Sequence, residues 1–133
     1  MDSLKLVLDS NEYVLHFSKN SDALLMLLNL DAKIYLNALI FREAIRNIRL
    51  SEVKELVLLL KNPKFAVNSE KIPQDIIDKY KNLGLKKGDI VIAAFCEFVK
   101  ANYLITENRH FLKEIKFSMH HVRSMVDFLA EFN

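Results

Sequence analysis

The chain is poor in the residues on which several protein classes depend. Its single cysteine excludes an internal disulfide framework and a zinc site built from several cysteines. With only two glycines, no glycine-rich phosphate-binding loop can be written. No apolar run is long enough to span a bilayer, and the N-terminus lacks the hydrophobic region of a signal peptide. These absences predict a soluble, cytoplasmic protein without a membrane partner.

The chain also lacks a large excess of charge of either sign, because it has 19 basic and 17 acidic residues and a formal net charge of +2. This balance excludes a polybasic coat, so contact with nucleic acid would need a local basic rim around a compact site. The chain has 133 residues, of which 51% are hydrophobic. That length and composition predict one domain, residues 1–133, with a core of its own.

Short strand-like segments alternate with helix-like segments along the chain. Strands are predicted at residues 4–8, 34–36, 65–67, 103–105 and near 117–120. Helices are predicted at residues 12–17, 23–29, 39–48, 53–60, 73–83, 89–101 and 123–132. This alternation predicts a parallel sheet with helices on both faces.

Polar and acidic side chains follow the predicted strands or open the helices after them. Asp9 ends the first strand, Glu43 lies early in a helix, Asp89 opens another helix, and Asn108 follows a later strand. One edge of a parallel sheet collects all such positions, so these groups are predicted to share a cleft. Clustered carboxylates repel one another unless a cation neutralises them, and oxygen ligands favour Mg²⁺ or Mn²⁺. Such an ion is the usual agent of phosphodiester hydrolysis.

Each of these residues also has an ordinary structural interpretation. Asp9 and Asn108 are common in turns and caps, and Glu43 is spaced to pair with Arg46 on one helix face. Asp89 is favourable at a helix N-terminus because of the helix dipole. The metal-site hypothesis therefore depends on the four positions being brought together.

Three segments resemble the PIN-domain family of metal-dependent ribonucleases. They are KLVLDSN near the start, ALIFREAI in the middle, and GDIVIAAFCEFVKANYLITENRHFL toward the end. The resemblance extends from the first strand to about Phe117. It implies a three-layer α/β/α fold with a central parallel sheet of about five strands.

Carried over by position, the resemblance implies roles for individual residues. Asp9, Glu43 and Asp89 would be catalytic metal ligands for Mg²⁺ or Mn²⁺, and Asn108 stands where the fullest family pattern has a fourth acid. Nearby residues implied to support the site or the substrate are Asn11, Thr106, Glu107 and Arg109. Because strand side chains alternate, the adjacent Glu107 is expected to point to the face opposite Asn108, so it could replace the fourth acid only if the backbone turns there.

The family implies an endoribonuclease that hydrolyses RNA. Many small members are VapC-like toxins of VapBC-type (type II) toxin–antitoxin pairs, which commonly form homodimers and are inhibited by a small antitoxin. The alternative is a catalytically weak or inactive PIN-like module that binds RNA or protein, since Asn108 supplies no charge. A receiver-like signalling domain fits poorly, because Asn68 and Ser69 follow the third predicted strand where an aspartate would be needed.

Overall fold

The structure is a computed structural model in which residues 3–19, 21–108, 111–112 and 121–132 are described. The described strands are β1 (Leu4–Leu8), β2 (Ala32–Leu36), β3 (Phe65–Val67), β4 (Tyr103–Ile105) and β5 (His121–Arg123). The described helices are α1 (Ser10–Ser18), α2 (Ala23–Leu27), α3 (Ala38–Ile45), α4 (Leu50–Leu59), α5 (Gln74–Lys81), α6 (Lys87–Phe98) and α7 (Met125–Phe132).

The strands form one parallel sheet in the order β3-β2-β1-β4-β5, flanked by helices. This confirms the predicted α/β fold with a central parallel sheet. β1 is the central strand, between β2 and β4, and its Leu6, Val7 and Leu8 are fully buried. A strand covered on both faces needs apolar side chains at successive positions, which explains the unbroken LKLVL run.

The chain changes direction at the centre of the sheet. From β1 it builds outward through β2 to β3, and it then returns to place β4 on the other side of β1. Leu8 pairs with Ile105 at the ends of these strands. Open α/β sheets bind ligands beyond the carboxyl ends of their strands at such a switch point. The residues that follow β1 and β4 therefore lie where a ligand site is expected.

α6 confirms the prediction of a helix buried on most sides, because residues 92–96 are all buried. The helix begins at Lys87 rather than at Asp89, so Asp89 lies inside its first turn. It ends before Lys100, whose φ of 59° is left-handed. Ala101 N donates to Cys96 O at 2.9 Å, a backbone bond that closes the helix end.

Other boundaries differ from the prediction at the C-terminal end. The strand predicted near residues 117–120 lies outside the described residues, and the described strand is His121–Arg123. The last helix begins at Met125 instead of residue 123, because Arg123 still pairs with Ile105 in the sheet. In the ranges that the structure describes, the helices are too short or too polar to cross a membrane.

Candidate active site

Asp9 is fixed at the switch point by hydrogen bonds to both of its carboxylate oxygens. Its backbone N–H donates to Ile105 O at 2.9 Å, which anchors the residue to the end of β4. Ser10 N donates to Asp9 Oδ1 at 2.8 Å, and Thr106 Oγ1 donates to Asp9 Oδ2 at 2.8 Å. Asp9 is therefore the N-cap of α1, as its turn-like context suggested, and also a half-buried anion at the sheet edge.

Ser10 connects Asp9 to the second predicted acid. Its Oγ donates to Glu43 Oε2 at 3.1 Å and lies 3.5 Å from Asp9 Oδ1. Glu43 thus directs its carboxylate across to α1, and its described side-chain hydrogen bond is to Ser10 rather than to Arg46. Ser10 is not among the site residues predicted from the sequence. Its place between two acidic positions becomes visible only when α1 and α3 are packed together.

Thr106 connects Asp9 to the exit of β4. The side chain is fully buried, and its Oγ1 accepts from Asn108 N at 3.0 Å while donating to Asp9. Glu107 faces the other way, as the alternation of strand side chains predicted, and its Oε2 accepts from Met125 N at 3.1 Å. One hydroxyl therefore sets the positions of both the aspartate and the backbone of Asn108.

Asp89 lies beside this cluster, in a neighbouring cleft. A cleft of about 380 Å³ is lined by Gly84, Lys86, Asp89 and Asn108. The first turn of α6 also approaches Glu43, because a Cβ added to Gly88 would lie 3.5 Å from Glu43 Oε1. All four predicted groups thus lie along one edge of the sheet, with Asp9 and Glu43 linked through a single side chain.

The described residues do not include a preformed cluster of three or more metal ligands. Across the four described ranges, no three His, Cys, Asp or Glu side chains are close enough together to hold a metal ion. Mg²⁺ often takes only one or two protein carboxylates and completes its shell with water and substrate phosphate oxygens. The linked pair of Asp9 and Glu43 fits that mode, because each oxygen has a lone pair beyond the hydrogen bond that it accepts.

Glu12 was placed in a helix by the sequence but was not recognised as a site residue. It is 3% exposed and lies one turn along α1 from Asp9. Burial, together with the hydrogen bond and charge of Glu107 and the charge of Asp9, raises the pKa of its carboxyl to about 9. A signal was present in the sequence: an acid one turn after Asp9, followed directly by Tyr13 and Val14.

The remaining candidates contribute less to the described site. Asn11 is exposed in the first turn of α1, and its predicted role in steadying the turn stays a prediction. Arg109 lies outside the described residues. Burial raises the pKa of the Cys96 thiol, which agrees with a packed rather than a reactive cysteine.

Comparison with known proteins shows a likeness of fold. No protein-family model matches the chain, and no curated protein matches it. A chain in the crystal structure of VapBC2 from Rickettsia felis, bound to a DNA fragment from their promoter, is similar in fold with a TM-score of 0.62. The match covers 91% of this chain and 98% of that chain at 15% sequence identity. The described architecture is thus PIN-like.

Proposed function

We propose that the chain is a ribonuclease that hydrolyses RNA phosphodiester bonds with the help of Mg²⁺ or Mn²⁺. The observation that carries the proposal is the fixed position of Asp9. Its carboxylate is held at the switch point by Ser10 and Thr106 and is linked through Ser10 to Glu43. One carboxylate at the N-cap of α1 and one in α3, each held by a hydrogen bond, are an arrangement suited to a hard cation.

Asp9 and Glu43 would hold the ion directly, and Asp89, in the neighbouring cleft, would bind a water molecule of the ion's shell. When bound, the ion would neutralise charge on a phosphate and make a water molecule more acidic. The protein would supply orientation: Thr106 and Ser10 fix the oxygens of Asp9, and Ser10 fixes Glu43. Orientation of this kind commonly changes metal affinity or activity by about 10- to 100-fold.

Lys86 and Asn108 would contribute on the substrate side. Both line the same cleft as Asp89, where the Lys86 ammonium can attract a phosphate and the Asn108 amide can hydrogen-bond water or a phosphate oxygen. Asn108 brings no negative charge, so we expect it to orient groups rather than to hold the ion strongly.

The same proposal includes the partners of the protein. The likeness in fold to a chain of VapBC2 supports a role as the toxin of a toxin–antitoxin pair, with a small antitoxin as inhibitor. We further propose a homodimer as the working form and the cytoplasm as the location, as the resemblance to the PIN-domain family implies. Co-expression with the product of the adjacent reading frame tests the partner. We expect that product to bind the purified protein and to suppress RNA cleavage.

The second candidate is a PIN-like module that binds RNA or protein without cleaving it. Asn108 at an acidic family position and the lack of a three-carboxylate cluster in the described ranges favour it. Incubation of purified protein with single-stranded and structured RNA, with Mn²⁺ and then with EDTA, separates the two. Cleavage that EDTA stops supports the enzyme, whereas metal-independent binding without cleavage supports the module.

Replacing Thr106 tests whether its hydroxyl positions Asp9. Thr106→Val keeps the shape of the buried side chain but removes the donor to Asp9 and the acceptor for Asn108 N. We expect RNA cleavage to fall by about 10- to 100-fold. Thr106→Ser retains the hydroxyl and is the matched control, so it should keep most of the activity. Equal activity in the two variants would contradict this role.

Replacing Ser10 tests the link between Asp9 and Glu43. Ser10→Ala removes the bond to Glu43 Oε2 but keeps the backbone bond to Asp9 Oδ1. We expect about a tenfold loss of cleavage and a higher Mn²⁺ concentration at half-maximal activity. Ser18→Ala, at the exposed end of the same helix, controls for general effects on α1. An unchanged Mn²⁺ dependence in Ser10→Ala would show that the link is not needed.

A further inference from the structure

A second cavity lies on the other side of the β4 exit, between α1, α2 and α7. Its volume is about 210 Å³, roughly seven water molecules' share of liquid volume. The apolar part of its wall comes from Leu15, Ala23, Leu24, Met125 and Val126. A space of this size and lining suits one long side chain with an aliphatic stem.

The polar part of the wall is acidic. Glu12 and Glu107 both line the cavity, beside His16 and Ser21. His16 Nδ1 and Ser21 O are 3.2 Å apart and bond to each other. Glu12 is only 3% exposed, yet its Oε1 has no hydrogen-bond partner among the described residues.

A buried carboxyl oxygen without a partner is costly, and native structures contain few of them. Glu12 and Glu107 are close enough to hydrogen-bond to each other. A cationic donor placed between them would satisfy Oε1 of Glu12. A positively charged donor that entered the cavity would therefore supply the hydrogen bond that Glu12 Oε1 lacks among the described residues.

We propose that this cavity receives an arginine side chain from an apolar segment of a partner protein. The planar guanidinium carries five donors and can bond two carboxyl groups at once, which a single ammonium does less well. The aliphatic stem would pack against Leu24 and Met125. The lining helices also expose Leu25, Met26 and Val126, at 47%, 37% and 75%, which suits an apolar segment around the arginine.

This site is separate from the proposed metal site and does not depend on nuclease activity. Thr106 faces Asp9, whereas Glu107 faces Met125 and the cavity. Glu107 is nevertheless the sequence neighbour of Asn108. Binding of an arginine to Glu107 could therefore change the position of Asn108 without filling the metal-binding cleft.

The test is a titration with N-acetyl-arginine methylamide, followed by NMR of the full chain. Its citrulline counterpart has nearly the same shape without the charge and is the control probe. We expect the arginine probe to bind with a millimolar Kd and to shift the methyl signals of Leu15, Leu24 and Met125. Glu12→Gln should weaken binding about fivefold at pH 8, while Glu55→Gln, on exposed α4, should not.

Several outcomes would overturn the proposal. Equal binding of the arginine and citrulline probes would show that charge is not recognised. Signal changes confined to residues near Asp9 and Glu43 would place the cation in the other site. A homodimer that Glu12→Gln dissociates in sedimentation would identify a second copy of this chain, rather than a separate partner, as the occupant.

Discussion

Asp9→Asn is expected to lower Mn²⁺-dependent RNA cleavage by about a thousandfold or more. Asp9 accepts hydrogen bonds from Ser10 and Thr106, is linked through Ser10 to Glu43, and would supply charge directly to the ion. Loss of several kcal/mol of charge stabilisation corresponds to three or more powers of ten in rate. The asparagine keeps an oxygen that can accept from Ser10 N, so α1 retains its cap. Initial rates on a fluorescent RNA measure the effect.

The matched control is Asp22→Asn. Asp22 is the N-cap of α2, is exposed and makes no side-chain capping bond, so the same chemical change is made outside the site. We expect Asp22→Asn to keep nearly full activity. The circular dichroism spectra of Asp9→Asn and Asp22→Asn should both match that of the parent. Undiminished cleavage by Asp9→Asn would remove the metal hypothesis.

Glu12→Gln is expected to increase stability at neutral and alkaline pH. The pKa of Glu12 is about 9 in the folded chain and 4.5 as its ordinary value, so between these pH values only the folded state keeps the proton. The free energy of unfolding should therefore fall as pH rises, by at most about 1.4 kcal/mol per pH unit from this group. Between pH 5 and pH 8 the loss would reach up to about 4 kcal/mol.

Urea unfolding across this pH range measures the loss. The amide of Glu12→Gln carries no titrating proton, so most of the decline should disappear, while the exposed Glu55→Gln should follow the parent. Asp9, Glu107 and His16 also face this region, and these residues are the same in the parent and in both variants. A parent protein whose stability does not decline between pH 5 and pH 8 would contradict the buried, protonated state of Glu12.

Local patterns were sufficient to predict most of the fold. β1 and the buried helix α6 are continuous apolar runs, and their burial in a parallel sheet follows directly from that pattern. The edge location of Asp9 and Thr106 follows as well, because both come directly after strands that pair side by side. These features depend on residues close in sequence, where alternation and run length carry the information.

Other features depend on how helices pack, which no local pattern specifies. The Ser10 bond to Glu43 joins residues 33 apart and requires α1 and α3 to meet at one angle. The buried state of Glu12 depends on α2 and α7 covering α1, and an isolated helix would show it as an ordinary polar residue. The helix boundary at Lys87 was also missed, because Lys and Gly are weak start signals compared with Asp89.

Direct measurement of Mn²⁺ binding by isothermal titration calorimetry tests the central claim most simply, since it needs no knowledge of the RNA target. Parent protein and Asp22→Asn should bind Mn²⁺ with the same affinity, and Asp9→Asn should bind it at least tenfold more weakly. Equal Mn²⁺ affinity in the parent and Asp9→Asn, or no binding by the parent at millimolar Mn²⁺, would contradict the account.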